Sequence, residues 1–102
     1  MKTYIKSDSV WEGRNYIVRR ILNYFEKLVT DAGCTGFSSN DYEVLNDGSL
    51  RLELQWDGGN SSPFSIGYDI ADYFGEGVTY VPYWDRDWQY SAAIQVAEFR
   101  TR

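Results

Sequence analysis

Histidine is absent from this chain. With it goes the commonest general base at neutral pH, and every Ser-His or Cys-His route to an activated nucleophile. Cysteine occurs once, as Cys34. A lone cysteine closes no intramolecular disulfide, which excludes the small secreted disulfide scaffolds and makes a reducing cytoplasm the expected compartment. Cys34 also follows Gly33, an expected helix terminus, where the negative end of the helix dipole disfavours a thiolate, so a structural role is expected for it. Lysine is limited to Lys2, Lys6 and Lys27. No window approaches the roughly 18 apolar residues of a membrane-spanning helix, and the opening MKTYIKSDS has no apolar run after its lysines; neither a membrane segment nor an ordinary signal peptide is expected. No His or Cys cluster exists for zinc, and Asp85-Arg86-Asp87 and Asp69-Ile70-Ala71-Asp72 lack the dense oxygen-ligand loop of a calcium site. Gly58-Gly59 and Gly75-Glu76-Gly77 match neither the dinucleotide fingerprint nor the phosphate loop. Neither a metal nor a cofactor is expected.

What the chain has in excess is aromatic side chains: nine Tyr, five Phe and four Trp make up 18% of its 102 residues. At this length one domain over residues 1–102 is expected, and large buried rings help a small core reach stability. Net charge is -5, unevenly placed. Residues 1–36 carry six basic and four acidic side chains, whereas residues 37–98 set Arg51 and Arg86 against eleven acids. That distal part repels phosphate backbones and attracts basic partners, including proteins that handle nucleic acid.

Ser9-Val10-Trp11-Glu12 has capping-box spacing and predicts a helix start. Val18, Ile21, Leu22, Phe25, Leu28, Val29 and Ala32 then recur at helical steps up to Gly33, a left-handed stop, with Arg19, Arg20, Asn23, Glu26 and Lys27 opposite. Residues 33–40 read as a Gly, Ser and Asn connection. Tyr42 and Val44, then Leu50, Leu52, Leu54 and Trp56, alternate with polar residues as strands of a hairpin. A three-residue loop, Asn46-Asp47-Gly48, keeps the apolar set on one face, pairing Val44 with Leu50, Tyr42 with Leu52 and Glu43 with Arg51. Phe64, Ile66, Tyr68 and Ile70 read as a third strand and Val78 to Trp84 as a fourth, with Pro82 marking a sheet edge. The last segment fits either period, and its alanine and glutamine favour a helix. The expected architecture is α+β: an N-terminal helix packed on a small antiparallel sheet of three to five strands, ending in a C-terminal helix or strand.

The segment from Tyr80 to Tyr90 carries five aromatics in eleven residues. Strand neighbours alternate sides, so some of these rings are expected at the surface. Tyr83, Trp84 and Trp88 beside Asp85, Arg86 and Asp87 have the composition of an interaction hot spot, to which Asp69, Asp72 and Glu76 add negative charge. The competing reading is that the rings close one end of the core. Hydrolysis by a carboxylate pair among Asp69, Asp72, Asp85 and Asp87 has no spacing to support it, and no enzyme activity is expected. A basic patch of Arg14, Arg19, Arg20, Lys27, Arg100 and Arg102 offers a second reading, a small nucleic-acid-binding domain, and exposed aromatics a third, carbohydrate binding.

In size, acidity and lack of catalytic equipment, the chain as a whole resembles small inhibitors carried by bacteriophages, among them anti-CRISPR and anti-restriction proteins. The resemblance is one of general character and involves no motif. It implies a non-catalytic acidic inhibitor of a basic or nucleic-acid-binding protein, a group in which some members imitate the charge of DNA. A homodimer is compatible with it.

Overall fold

The computed structural model describes residues 9–60 and 62–97, with side chains from residue 16 onward. Helix α1 spans Ser9–Asp31 and is followed by strands β1 (Cys34–Ser39), β2 (Glu43–Val44) and β3 (Leu50–Gly58). Helix α2 (Pro63–Phe74) precedes β4 (Val78–Pro82) and β5 (Tyr90–Val96). All strand pairs are antiparallel, in the order β1-β3-β5-β4, with β2 also lying against β3. The expected α+β class, N-terminal helix on an antiparallel sheet, is what the chain adopts, with a second helix added.

Helix α1 starts where the capping-box spacing placed it, although the side chains of Ser9, Glu12 and Arg14 lie outside the described residues, as do Phe99, Arg100 and Arg102. Its stripe buries Ile21, Phe25 and Val29, with Val18, Leu22 and Leu28 packed at the margin. Gly33, at φ 79°, takes the left-handed conformation that lets the chain leave the helix. The Phe25 ring meets the edges of Trp56 and Phe37, which fixes α1 over the face of β3 that carries Leu50, Leu52, Leu54 and Trp56. The hairpin has the expected register, Glu43 opposite Arg51 and Val44 opposite Leu50. Leu45 and Ser49 close the three-residue loop, in which Gly48 has φ 88°. Pairing in β2 ends at Glu43, so Tyr42, though buried, is not laddered to Leu52.

Three expectations are corrected. Residues 34–39 are an edge strand rather than a connection, bulged between Cys34 and Gly36; backbone pairing to β3 does not require apolar side chains. Residues 63–74 form α2, not a strand. Ile66, Gly67, Ile70 and Phe74 are buried at helical spacing, while Phe64 and Tyr68 of the supposed strand face point to solvent. Ser62 caps this helix through its hydroxyl, accepting from the Ser65 amide at 3.3 Å, and Pro63 occupies the first turn, where its missing N–H costs nothing. The C-terminal segment is strand β5, with no helix over 90–96. Lying between β3 and β4, it gains a ladder on both edges, and that pairing overrides the weak helix preference of alanine and glutamine.

Helix α2 packs on the same face of the sheet as α1, which it meets through stacked Tyr24 and Tyr73 rings 4.1 Å apart. Gly67 sits directly on the Tyr80 ring, and any Cβ there would overlap it. Both helices thus lie on one side. The other side is covered in part by the loop between β4 and β5.

Candidate functional site

Residues 83–89 join β4 to β5, and four sets of bonds hold them. The Tyr83 amide donates to the Ser91 carbonyl at 3.2 Å, extending the ladder one step beyond β4. Because Pro82 faces the helices, Tyr83 faces the opposite side of the sheet, where its hydroxyl accepts a 2.7 Å bond from the Gln55 amide. Burial pushes the Tyr83 phenol above its ordinary range, and nearby Glu53 and Asp85 add to this while the Gln55 bond opposes it. At the far end, the Gln89 amide donates to Asp57 Oδ1 at 2.6 Å and the Gly58 amide to Gln89 Oε1 at 3.0 Å. Between these anchors the Asp85 carboxylate accepts from the Asp87 amide and the Asp85 carbonyl from the Trp88 amide, closing a turn.

This framework sorts the residues singled out by the sequence. Trp84 is the most exposed large apolar side chain described, at 79%. Trp88 is only half-buried, and its ring lies 3.9 Å from where a Cβ on Gly36 would stand, so it sits over β1 rather than projecting as Trp84 does. Asp85 is half-buried and committed to the turn, whereas Arg86 and Asp87 are exposed at its tip. Asp69 and Asp72 lie on α2, and Glu76 on the turn that enters β4. Glu76 is separated from the loop by the length of β4, about 13 Å at the usual rise. The structure therefore unites Tyr83, Trp84, Asp85, Arg86, Asp87 and Trp88 and leaves Asp69, Asp72 and Glu76 outside that loop. Gln55, Asp57 and Gln89 were missed as supports. Their contacts join residues more than 25 positions apart, which no local pattern encodes.

The basic face of α1 is largely engaged. Arg20 donates to the Tyr16 hydroxyl at 2.9 Å and lies over the Tyr16 and Phe74 rings; the hydrogen bond to Tyr16 raises its pKa further. Lys27 is paired with Asp31 at 3.0 Å and its ammonium is held charged by that bond. Of the described cations on α1, this leaves Arg19. Cys34 is half-buried, with its thiol directed at the Gly58 carbonyl, and burial followed by the charge of Asp57 raises its pKa. Among the described residues no group of three His, Cys, Asp or Glu side chains gathers to hold a metal, and no helix is long and apolar enough to cross a membrane.

Comparison of the chain with protein-family models, curated proteins and solved structures gives no match.

Proposed function

We propose that this is a non-catalytic binding protein of the cytoplasm, an inhibitor of the bacteriophage type, which docks Trp84 into a basic, nucleic-acid-handling protein. The observation that carries this reading is the combination at Trp84 of high exposure with a loop fastened at both ends. A large ring held out on a fixed support loses little entropy on docking, the condition under which tryptophan becomes a binding hot spot. Asp87 beside it, within an acidic distal half, supplies the sign of charge that steers a basic partner. The alternative, nucleic-acid binding through α1, is weakened because Arg20 and Lys27 already have partners within the chain.

The test is affinity capture from a cell lysate with the parent protein, Trp84→Ala, Asp87→Lys and Arg19→Ala, each checked for folding by circular dichroism. The parent and Arg19→Ala should retain a basic nucleic-acid-handling protein. Trp84→Ala should speed its dissociation by an amount on the order of 2 kcal/mol, and Asp87→Lys should slow association and weaken its salt dependence. Asp85 is unsuited to charge reversal, since it closes the turn. Retention that survives Trp84→Ala and fails in Arg19→Ala would move the functional surface to α1.

A further inference from the structure

Strand β4 ends the sheet, and no described strand lies beyond it. Its register with β5, together with the flanking bonds from Tyr83 to Ser91 and from Ala97 to Gly77, turns the backbone of Thr79 and Val81 inward. The alternate residues Val78, Tyr80 and Pro82 therefore direct their backbone groups outward. Pro82 has no N–H, and the Val78 amide is taken by the Gly75 carbonyl at 3.2 Å. The edge thus offers three carbonyls, those of Val78, Tyr80 and Pro82, and one donor, the Tyr80 amide.

Alongside this edge runs an open groove of about 440 Å³, walled by Tyr68, Ala71 and Asp72 of α2 and by Val78, Thr79 and Tyr80. Phe64, one turn before Tyr68 on α2, is likewise exposed. Asp72 lines the groove, Glu76 is exposed on the turn into β4, and residues 63–82 contain neither Lys nor Arg. Val81 is exposed on the opposite side of the strand.

We infer that β4 accepts an extended, positively charged segment of a partner protein as an additional antiparallel strand. Its residue opposite Tyr80 exchanges both backbone bonds, and its neighbours two positions away donate to the Val78 and Pro82 carbonyls. Side chains of those three residues enter the groove. Lys or Arg suits them, with the aliphatic stem on Tyr68 and the charge reaching Asp72 and Glu76. The intervening residues lie on the Val81 side and are apolar. A second copy of this chain does not fit the edge. Two copies would set six carbonyls against two donors and bring both pairs of carboxylates together. The inference is independent of Trp84 docking, and the surface lies beside that loop rather than within it.

The probe is the peptide acetyl-Lys-Val-Lys-Val-Lys-Val-Lys-amide, titrated against the whole protein, with amide exchange read at Tyr80. Binding should slow exchange of the Tyr80 amide at least tenfold. N-methylation of the lysine residues, which keeps the charge and removes the donors, should weaken binding tenfold or more, whereas N-methylation of the valines should change it less than threefold. Asp72→Lys/Glu76→Lys, both at exposed positions, should also weaken it at least tenfold, and Trp84→Ala should leave it unchanged. That last variant separates this surface from the loop. No binding, equal loss on methylating either set, or an unprotected Tyr80 amide would overturn the inference. So would sedimentation as a dimer whose formation protects Tyr80, or binding seen only when residues 1–8 are deleted, which would give the edge to this chain itself.

Discussion

On the helix side of the sheet Leu52, Leu54, Trp56 and Ile94 are sealed from solvent. On the other side Arg51, Glu53 and Gln95, one position along the same strands, stay partly in water. The alternation of a single strand makes both surfaces at once. The helix side is filled by apolar rings and aliphatic chains that need only fit. The far side is held by directed bonds: Arg51 paired with Glu53 and reaching Glu43 at 3.8 Å, Asn40 donating to Glu53 at 2.7 Å, and Gln55 donating to Tyr83. The difference is one of purpose as well as chemistry. A dry core fixes the sheet, and the bonds from Gln55 to Tyr83 and between Gln89 and Asp57 and Gly58 fix where the loop that carries Trp84 sits on it.

The largest effect expected from breaking this arrangement is on the helix side. Trp56 is wholly buried and meets Phe25 and Tyr90 at ring-centroid distances of 5.6 and 6.0 Å. Trp56→Ala should cost roughly 3–5 kcal/mol, the range for emptying an aromatic site in a core. Urea unfolding followed by circular dichroism measures it. A loss below about 1 kcal/mol would mean that this face is not the closely packed one.

On the loop side the effect should be smaller and chemical. Tyr83→Phe keeps the ring and removes the acceptor for the Gln55 amide, which is buried. An unpaired buried amide costs roughly 1–3 kcal/mol, so Tyr83→Phe should destabilise by about that much and Tyr83→Phe/Gln55→Leu by less. The raised phenol pKa gives the pH dependence. Since the folded value lies above the ordinary one of 10.0, the contribution is complete below pH 10 and is lost as pH rises through the folded value. The stability difference between parent and Tyr83→Phe should therefore narrow above pH 10 in paired denaturant titrations. A difference that widens there would reverse the assigned environment.

The same contrast explains how much was legible in the sequence. Helix α1 and the hairpin were readable because each shows one apolar period with its own punctuation, Gly33 at one end and Asn46-Asp47-Gly48 at the turn. Helix α2 was misread because Phe64, Ile66, Tyr68 and Ile70 also satisfy a period of two; the deciding signals were the cap Ser62 and Pro63 at the first turn. Strand β5 was misread because it is central and nearly all of it is buried, which erases alternation: Ser91, Ala92, Ala93 and Ile94 are all enclosed. Strand β1 has only Cys34 and Phe37 as apolar residues, three positions apart, which shows no period of two. For the candidate site, composition located the aromatic loop, but which tryptophan faces solvent depends on the bonds of the loop to Gln55 and Asp57 and on its placement near Gly36, all remote in sequence.

The smallest expected effect lies where the two kinds of surface meet. Ser91 is on the loop side of β5, and its hydroxyl is buried with no hydrogen-bond partner. Its backbone carbonyl holds Tyr83, but the hydroxyl contributes nothing to that bond. In the unfolded chain the same hydroxyl is hydrated, so folding removes water from it without replacement, a penalty that Ser91→Ala removes. Against this, alanine leaves a gap about the size of one oxygen, which forfeits some packing. The two nearly balance, and Ser91→Ala should change stability by about 0 to 1 kcal/mol in the stabilising direction, with the bond between Tyr83 and Ser91 unaltered. Thermal unfolding of parent and variant at neutral pH reads the difference, and amide exchange at Tyr83 checks that the loop has not moved. A loss greater than about 1 kcal/mol would mean that the hydroxyl is satisfied in solution, and that water reaches the sheet beneath Tyr83. The loop side would then be wet as far as β5, and Trp84 would stand on a hydrated support rather than a closed one.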